Sequence, residues 1–433
     1  MNQKDLAIYK KLETRSKFFC PRKWNDLFLY LNHGNSNSCS LPPPHQIPQE
    51  LLDDPFVLHN TPHKLKMQKL MLDGHRPNEC YSCWQIEDLG DNILSDRLLH
   101  NDVWQDDIDT LAIDPHHIPK FIEVIFDNVC NFTCSYCDSG QSSSWATIIK
   151  KRPFFLKSDT EQKYNKVWIK PGQTKQEYFD AWMKWWPLIQ DKVQYLRISG
   201  GEPLLSNNFW QFLEILSESS PELDISINSN LSCDKSTLDK FIEKTKKFKR
   251  IIIAASLDAD GPIAEFTRQG LDVKTFYDNV SYYLDNTPEN FYLYIQSTTN
   301  VFSIWGLLDA ISYHLSLREK YNNKIAHYFN SLVRKPEFQC VALLPTNIKE
   351  HLATKFITWL DENKSFLDHN ELSHIEEIIA FLKTENSLLV GDATVLRKDL
   401  SRFVKIYQQT SKHKLEDIFP IEFVNWINLV DPV

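Results

Sequence analysis

Between residues 120 and 345, short apolar runs alternate with segments of helical periodicity, and this alternation constrains the fold more than any other feature of the chain. The runs are FIEVIF (121–126), VQYLRI (193–198), LDISI (223–227), RIIIAAS (250–256), FYLYIQS (291–297) and FQCVALL (338–344). Between them, 174–190, 207–218, 235–247, 275–285 and 304–318 carry apolar residues at helical spacing. Strand then helix, repeated six times, predicts parallel strands joined by crossover helices. The runs lack strict alternation, which predicts strands covered on both faces. The simplest architecture is an α/β barrel or an open part of one, with its active site at the C-terminal strand ends.

The flanks read differently. Residues 1–110 hold Pro42, Pro43, Pro44 and Pro48 and a Gly-Asn-Ser stretch from Gly34 to Ser38, with few periodic apolar segments. Such a segment builds little core alone, and a metal staple would help it fold. After 345 the chain reads as helical to its end, as in 371–383, where Leu372, Ile375, Ile379 and Leu382 recur at helical spacing. This tail is expected to pack on the barrel or cover its mouth. The expected division is 1–110, 118–345 and 346–433.

The formal charge of -9 argues against nucleic acid and anionic lipid as partners. The N-terminal stretch MNQKDLAIYKKLETRSK has no apolar h-region, and no apolar run approaches a membrane span. A cytoplasmic protein is expected, with no membrane partner and with its thiols reduced.

Nine cysteines then ask for a reason other than disulfides. Cys130, Cys134 and Cys137 form C-x3-C-x2-C just after the first predicted strand. Three thiolates can hold three irons of a [4Fe–4S] cluster and leave the fourth open to a reactant. A structural zinc site would want four closed ligands, and no fourth is obvious nearby.

This motif, with an aromatic residue before its last cysteine, resembles the radical S-adenosylmethionine (SAM) superfamily. The resemblance implies a partial (β/α)6 TIM-like barrel in which the open iron chelates the amino and carboxylate groups of SAM. One electron then breaks a sulfur–carbon bond, and the resulting 5′-deoxyadenosyl radical abstracts hydrogen from a substrate. Tyr136 would sit beside the adenine. The second strand ends in Gly200, Gly201, Glu202 and Pro203, matching the family's GGEP. Two glycines admit a ligand close to the backbone, and a carboxylate accepts hydrogen bonds from an ammonium group. Asn228 and Asn230 end strand three. Ser256 and Arg268 match the family's ribose and carboxylate positions; Asp258 is a ligand or a turn residue. Leu344, at the end of the sixth run, would line the adenine pocket. A flavodoxin- or ferredoxin-type protein would donate the electron.

Cys80 and Cys83 form C-x2-C, with Cys20 and Cys39 upstream. Four such thiols suit zinc or [4Fe–4S] alike. The stretch from Met67 to Arg97 resembles radical SAM proteins with a twitch domain, a small module holding one auxiliary [4Fe–4S] cluster. The resemblance spans roughly residues 18–345. It assigns Cys20, Cys39, Cys80 and Cys83 to that cluster, although Ser40 stands where many relatives have a second cysteine. The auxiliary cluster would accept an electron or anchor substrate.

Other features read as structural. Trp182, Trp185 and Trp186 suit a helix packing on a barrel, and His116 and His117 a linker. Cys340 reads as core. Cys233 lies near the active end without a firm role. The run 244–250 ends a helix with cations. A small metabolite is the expected substrate, because no peptide-binding winged helix is evident before the barrel. The alternative is a maturase acting on a ribosomal peptide. A rival of another class, a zinc-stapled binding protein, leaves Glu202 and Arg268 at strand ends unexplained.

Overall fold

A computed structural model describes residues 9–88, 90, 95–99, 104–159, 162–168, 175–216, 218–219, 221–321, 324–384 and 389–428. The first residue of the helix predicted at 174–190, residue 217 of that at 207–218, and the chain's last five residues fall outside these.

Five of the six predicted strands form. β4 (Phe121–Ile125), β6 (Tyr195–Ser199), β7 (Asp224–Ser229), β8 (Arg250–Ser256) and β10 (Phe291–Thr299) are parallel neighbours. The connecting helices are Gln176–Ile189, Asn207–Leu216, Lys235–Thr245 and Val273–Asn286, with Leu307–Tyr321 leading to the last strand. That strand is a correction. β11 is Ile325–Leu332, parallel to β10, whereas 338–344 forms two 3-10 turns, Glu337–Gln339 and Val341–Leu343. In IAHYFNSL the residues His327, Asn330 and Ser331 interrupt the apolar ones, so no continuous apolar run marks the strand; FQCVALL is apolar except for Gln339 and serves as core between the sheet and the C-terminal helices.

The N-terminal region holds more regular structure than its prolines suggest. β1 (Asp26–Tyr30) lies parallel to β4, Asp26 opposite Phe121, and extends the main sheet. β2 (Asn35–Asn37) and β3 (His45–Gln46) follow antiparallel. The sheet order is β11-β10-β8-β7-β6-β4-β1-β2-β3, and among the described residues no pairing closes it into a barrel.

Burial corrects a second expectation. β7 and β10 alternate strictly between buried and half-buried residues. Leu196, Ile198, Ile225, Ile227, Ile251, Ile253, Leu293 and Ile295 pack against the helices, with Trp182, Trp185 and Trp186 fully buried among them. The opposite face is half-exposed and mixed, carrying Glu123, Arg197, Ser199, Ser226, Asn228 and Gln296 together with Phe28, Phe121, Ile252, Tyr292 and Tyr294. One face is therefore core, and the other is an open lumen.

The helices Thr346–Asn363, His369–Lys383, Ala393–Tyr407 and Ile421–Asn428 form a second core with the helix Ser143–Lys151 and the turns after β11. Asp368 and Glu371 close a capping box at the start of His369–Lys383. No helix among the described residues is long and apolar enough to cross a membrane.

Candidate active site

The loop after β4 carries Cys130, Cys134 and Cys137. It is braced by Ser143 and Ser144, whose hydroxyls donate to the Cys130 carbonyl at 3.2 and 2.8 Å, and by Trp145, whose indole donates to that of Cys134 at 2.9 Å. Within it, β5 (Thr133–Cys134) pairs antiparallel with β9 (Arg268–Gln269), setting Cys134 opposite Arg268.

The glycines after β6 let the two loops meet. Glu202 N–H donates to the Val129 carbonyl at 2.7 Å. A Cβ on Gly201 would lie 2.2 Å from that oxygen, and Gly200 has φ +117°. The Glu202 carboxylate is buried and accepts from Asn230 N (2.6 Å), Ser229 Oγ (2.9 Å) and Leu204 N (3.1 Å). Burial nonetheless raises it to about 7. The Asn230 amide reaches across to Asn131 Oδ1 at 2.9 Å. The ends of β6 and β7 are thus knitted to the cysteine loop by hydrogen bonds.

Asp258 is fully buried and accepts from Tyr136 Oη at 2.7 Å and from Thr298 N at 2.9 Å. Arg268, 7% exposed, reaches both Tyr136 Oη and Asp258 through Nη1. Among the described residues its buried Nε has no hydrogen-bond partner. A buried unsatisfied guanidinium N–H costs free energy unless a ligand accepts from it.

These groups surround one cavity of about 300 Å³. Of the residues singled out from the sequence, it is lined by Cys130, Cys134, Cys137, Tyr136, Gly200, Gly201, Glu202, Asn228, Asn230, Ser256 and Arg268. Pro203 is buried in the turn behind Glu202, and Asp258 stands behind Tyr136 and Arg268. Leu344 is a correction: it is fully buried in the second core, because the segment before it is not a strand. Sequence reasoning passed over Phe132, Gln141, Ser199, Gln296 and Thr298, which also line the cavity. The polar-apolar alternation in YLRIS and FYLYIQSTT was the signal for three of them. Cys233 packs half-buried against the core and Cys340 within it.

The other four cysteines also meet. Cys20, Cys39, Cys80 and Cys83 line a small second cavity of about 30 Å³ beside Arg22, Lys23 and Arg97. It lies where β1 begins, whereas Cys130 follows the end of β4. The two cysteine groups therefore sit at opposite ends of the sheet, about 15 Å of strand apart. His116 lies 3.3 Å from Asp54, and His117 bonds Asn25; neither lines either cavity.

The donor chemistry fits iron–sulfur clusters. Burial raises the Cys130 thiol to about 12 and that of Cys134 to about 11, and in the second group Cys80 to about 12 and Cys39 to about 11. Unpaired thiolates would be costly here; metal cations would draw off the protons. Among the described residues no group of three ligand side chains stands poised around a single metal ion. A four-iron cluster spreads its thiolates wider than one ion does.

The family model of the radical SAM superfamily matches residues 124–298. This span starts in β4, takes in all three cavity cysteines and ends in β10. The chain carries a radical SAM catalytic domain. Over 168 residues the chain is 25% identical to the GTP 3′,8-cyclase of Sulfurimonas denitrificans; the match takes in 38% of the chain and 43% of that enzyme's length. Among solved structures, SuiB of Streptococcus suis bound to its precursor peptide SuiA aligns with a TM-score of 0.35 at 13% identity, covering 79% of this chain and 70% of that one. SuiB bound to S-adenosylmethionine aligns at 0.32 and 14%, covering 78% and 68%. Likeness at that level does not bear on substrate.

Proposed function

We propose that this radical SAM enzyme holds a [4Fe–4S] cluster on Cys130, Cys134 and Cys137, cleaves SAM there, and acts on a peptide lying in the open lumen. Cys20, Cys39, Cys80 and Cys83 would hold an auxiliary [4Fe–4S] cluster, as in the twitch-bearing subgroup. One observation carries this reading: three thiols, a glycine turn and an unsatisfied arginine converge on one cavity above the half-exposed sheet face. When bound, the first cluster supplies the electron that splits SAM into methionine and a 5′-deoxyadenosyl radical.

The chain's own residues position the reactants. Gly200 and Gly201 admit SAM to the backbone. Glu202, as carboxylate, accepts from its ammonium group. The free Nε of Arg268 donates to its carboxylate, while Tyr136 and Asp258 fix the guanidinium's direction. Below, the Asn228 and Gln296 amides, 3.5 Å apart, and Arg197, donating to Asn228 at 3.1 Å, offer donors and acceptors suited to peptide groups. Among the described residues the lumen is open at its far end, where Tyr195, edge-on to Trp104, is 39% exposed. An enclosed pocket buries most of a small ligand; an open trough suits a chain that runs out of it. Four cysteines facing the second cavity favour electron exchange there over an iron left open to substrate. A small metabolite is the second reading, favoured by the stretch shared with a nucleotide-cyclising enzyme.

The test is anaerobic reconstitution, then reduction with dithionite and addition of SAM. The expected result is about eight irons, falling to about four when Cys130, Cys134 and Cys137 become Ala, with 5′-deoxyadenosine formed only by the unmutated protein. Stoichiometric zinc with no nucleoside would leave the zinc-stapled binding protein.

A further inference from the structure

Residues 148–168 hold six cations and two acids in a chain of formal charge -9. Lys150, Lys151, Arg152, Lys157 and Lys166 are exposed. Among the described residues Lys150, Lys151 and Lys157 have no acidic partner. Phe155 and Trp168 stand out beside them, 72% and 45% exposed. Lys150 and Lys151 end the helix Ser143–Lys151, where its dipole favours cations. That does not account for Lys157 or for the exposed ring of Phe155; beside them the Lys166 ammonium lies 4.4 Å from the centroid of the Trp168 ring.

This surface is bolted to the cysteine loop. Tyr164 Oη donates to the Ser135 carbonyl at 2.6 Å. Ser139 Oγ donates to the Lys166 carbonyl and accepts from Trp168 N, both at 3.0 Å. Lys163 lies 3.9 Å from Asp138, the residue after Cys137. The helix that ends in the lysines begins at the serines bonded to Cys130, and its nine residues span about 13 Å.

We propose that this patch docks an acidic one-electron carrier protein, flavin- or iron–sulfur-based, which reduces the cluster on Cys130, Cys134 and Cys137; it rests on that reading of the three cysteines. The carrier is oxidised by one electron and the cluster reduced by one, with no atom or proton transferred. A basic rim on an acidic chain steers an acidic partner to this spot and away from the rest of the surface. The exposed rings give the dry contact that charge alone does not.

The experiment compares the reconstituted full-length chain with its Lys150→Glu/Lys151→Glu/Lys157→Glu variant. 5′-Deoxyadenosine formation is driven either by an acidic flavodoxin kept reduced by its NADPH-dependent reductase or by dithionite. Expected is a drop of roughly tenfold or more in kcat/KM for flavodoxin, with the dithionite rate unchanged. The wild-type advantage should shrink as salt is raised. Lys157→Glu alone, far from any helix end, should show a smaller loss of the same kind. An unchanged flavodoxin rate, equal loss with both reductants, or binding of nucleic acid in place of flavodoxin at the patch would overturn the docking surface alone. Wild-type protein that forms no nucleoside even with dithionite would remove the cluster reading, and the docking surface with it.

Discussion

Arg268 and Glu202 divide the charge at the cavity proposed to take SAM, and each supports a measurement. Arg268→Lys keeps the charge but loses the fork that meets Tyr136, Asp258 and a ligand at once. One charged hydrogen bond is worth roughly 1.5–3 kcal/mol. Calorimetric affinity for SAM should therefore fall roughly ten- to a hundredfold while iron content stays unchanged. Glu202 is raised by burial from an ordinary value of 4.5 to about 7. Its neutral form is the one favoured by folding. The stability it contributes is full below 4.5 and is lost as pH rises through 7, about 3 kcal/mol in all. Urea unfolding of the cluster-free chain should show that loss between pH 4.5 and 7, and Glu202→Gln should flatten it. Both residues were legible in the sequence, since GGEP and an arginine after a strand are local patterns. The unsatisfied Nε was not, because it depends on Tyr136 and Asp258 arriving from two other strand ends.

At the scale of elements, the C-terminal helix Ala393–Tyr407 does more than pack beside the sheet. Tyr407 is 1% exposed, and its hydroxyl donates to the carbonyls of Thr133 (2.7 Å) and Thr267 (3.1 Å), one on each side of the β5–β9 pair. Its own carbonyl accepts from Gln269 Nε2 at 2.9 Å. Tyr407→Phe strips one donor from two buried carbonyls, costing about 1–3 kcal/mol. Thermal unfolding should come a few degrees earlier, and the electron paramagnetic resonance line of the reduced cluster should broaden as the loop loosens. No periodicity in 393–407 announces such a contact. The two strands misread from sequence share a cause. β1 is a five-residue run inside a proline-rich region, and in β11 His327, Asn330 and Ser331 break up the apolar residues, so neither stands out as a long apolar run. FQCVALL was more apolar than either, because it is buried on every side by tertiary neighbours.

At the scale of the molecule, two cores meet at the cysteine loop: the helix-covered face of the sheet, and the cluster formed by Trp145, Phe154, Tyr164, Phe403 and Tyr407 with the C-terminal helices. Ending the chain at residue 345 would expose the second core. The truncated protein should be insoluble or lose cooperative near-ultraviolet melting, and should not survive as an active enzyme; a soluble fragment that still cleaves SAM would refute this. The sequence by itself determined the alternating α/β layers, the three-cysteine motif and the glycine turn, since each rests on contacts within a few residues or on a repeat set by backbone geometry. Tertiary structure alone decided that the sheet gains β1 from the N-terminal region and, among the described residues, stays open, that seven cysteines form two groups at opposite ends of it, and that Leu344 is buried in the second core while Ser199 and Gln296 line the cavity. Those outcomes follow from strand order and register, which set residues distant in the chain side by side and leave no local trace in the sequence.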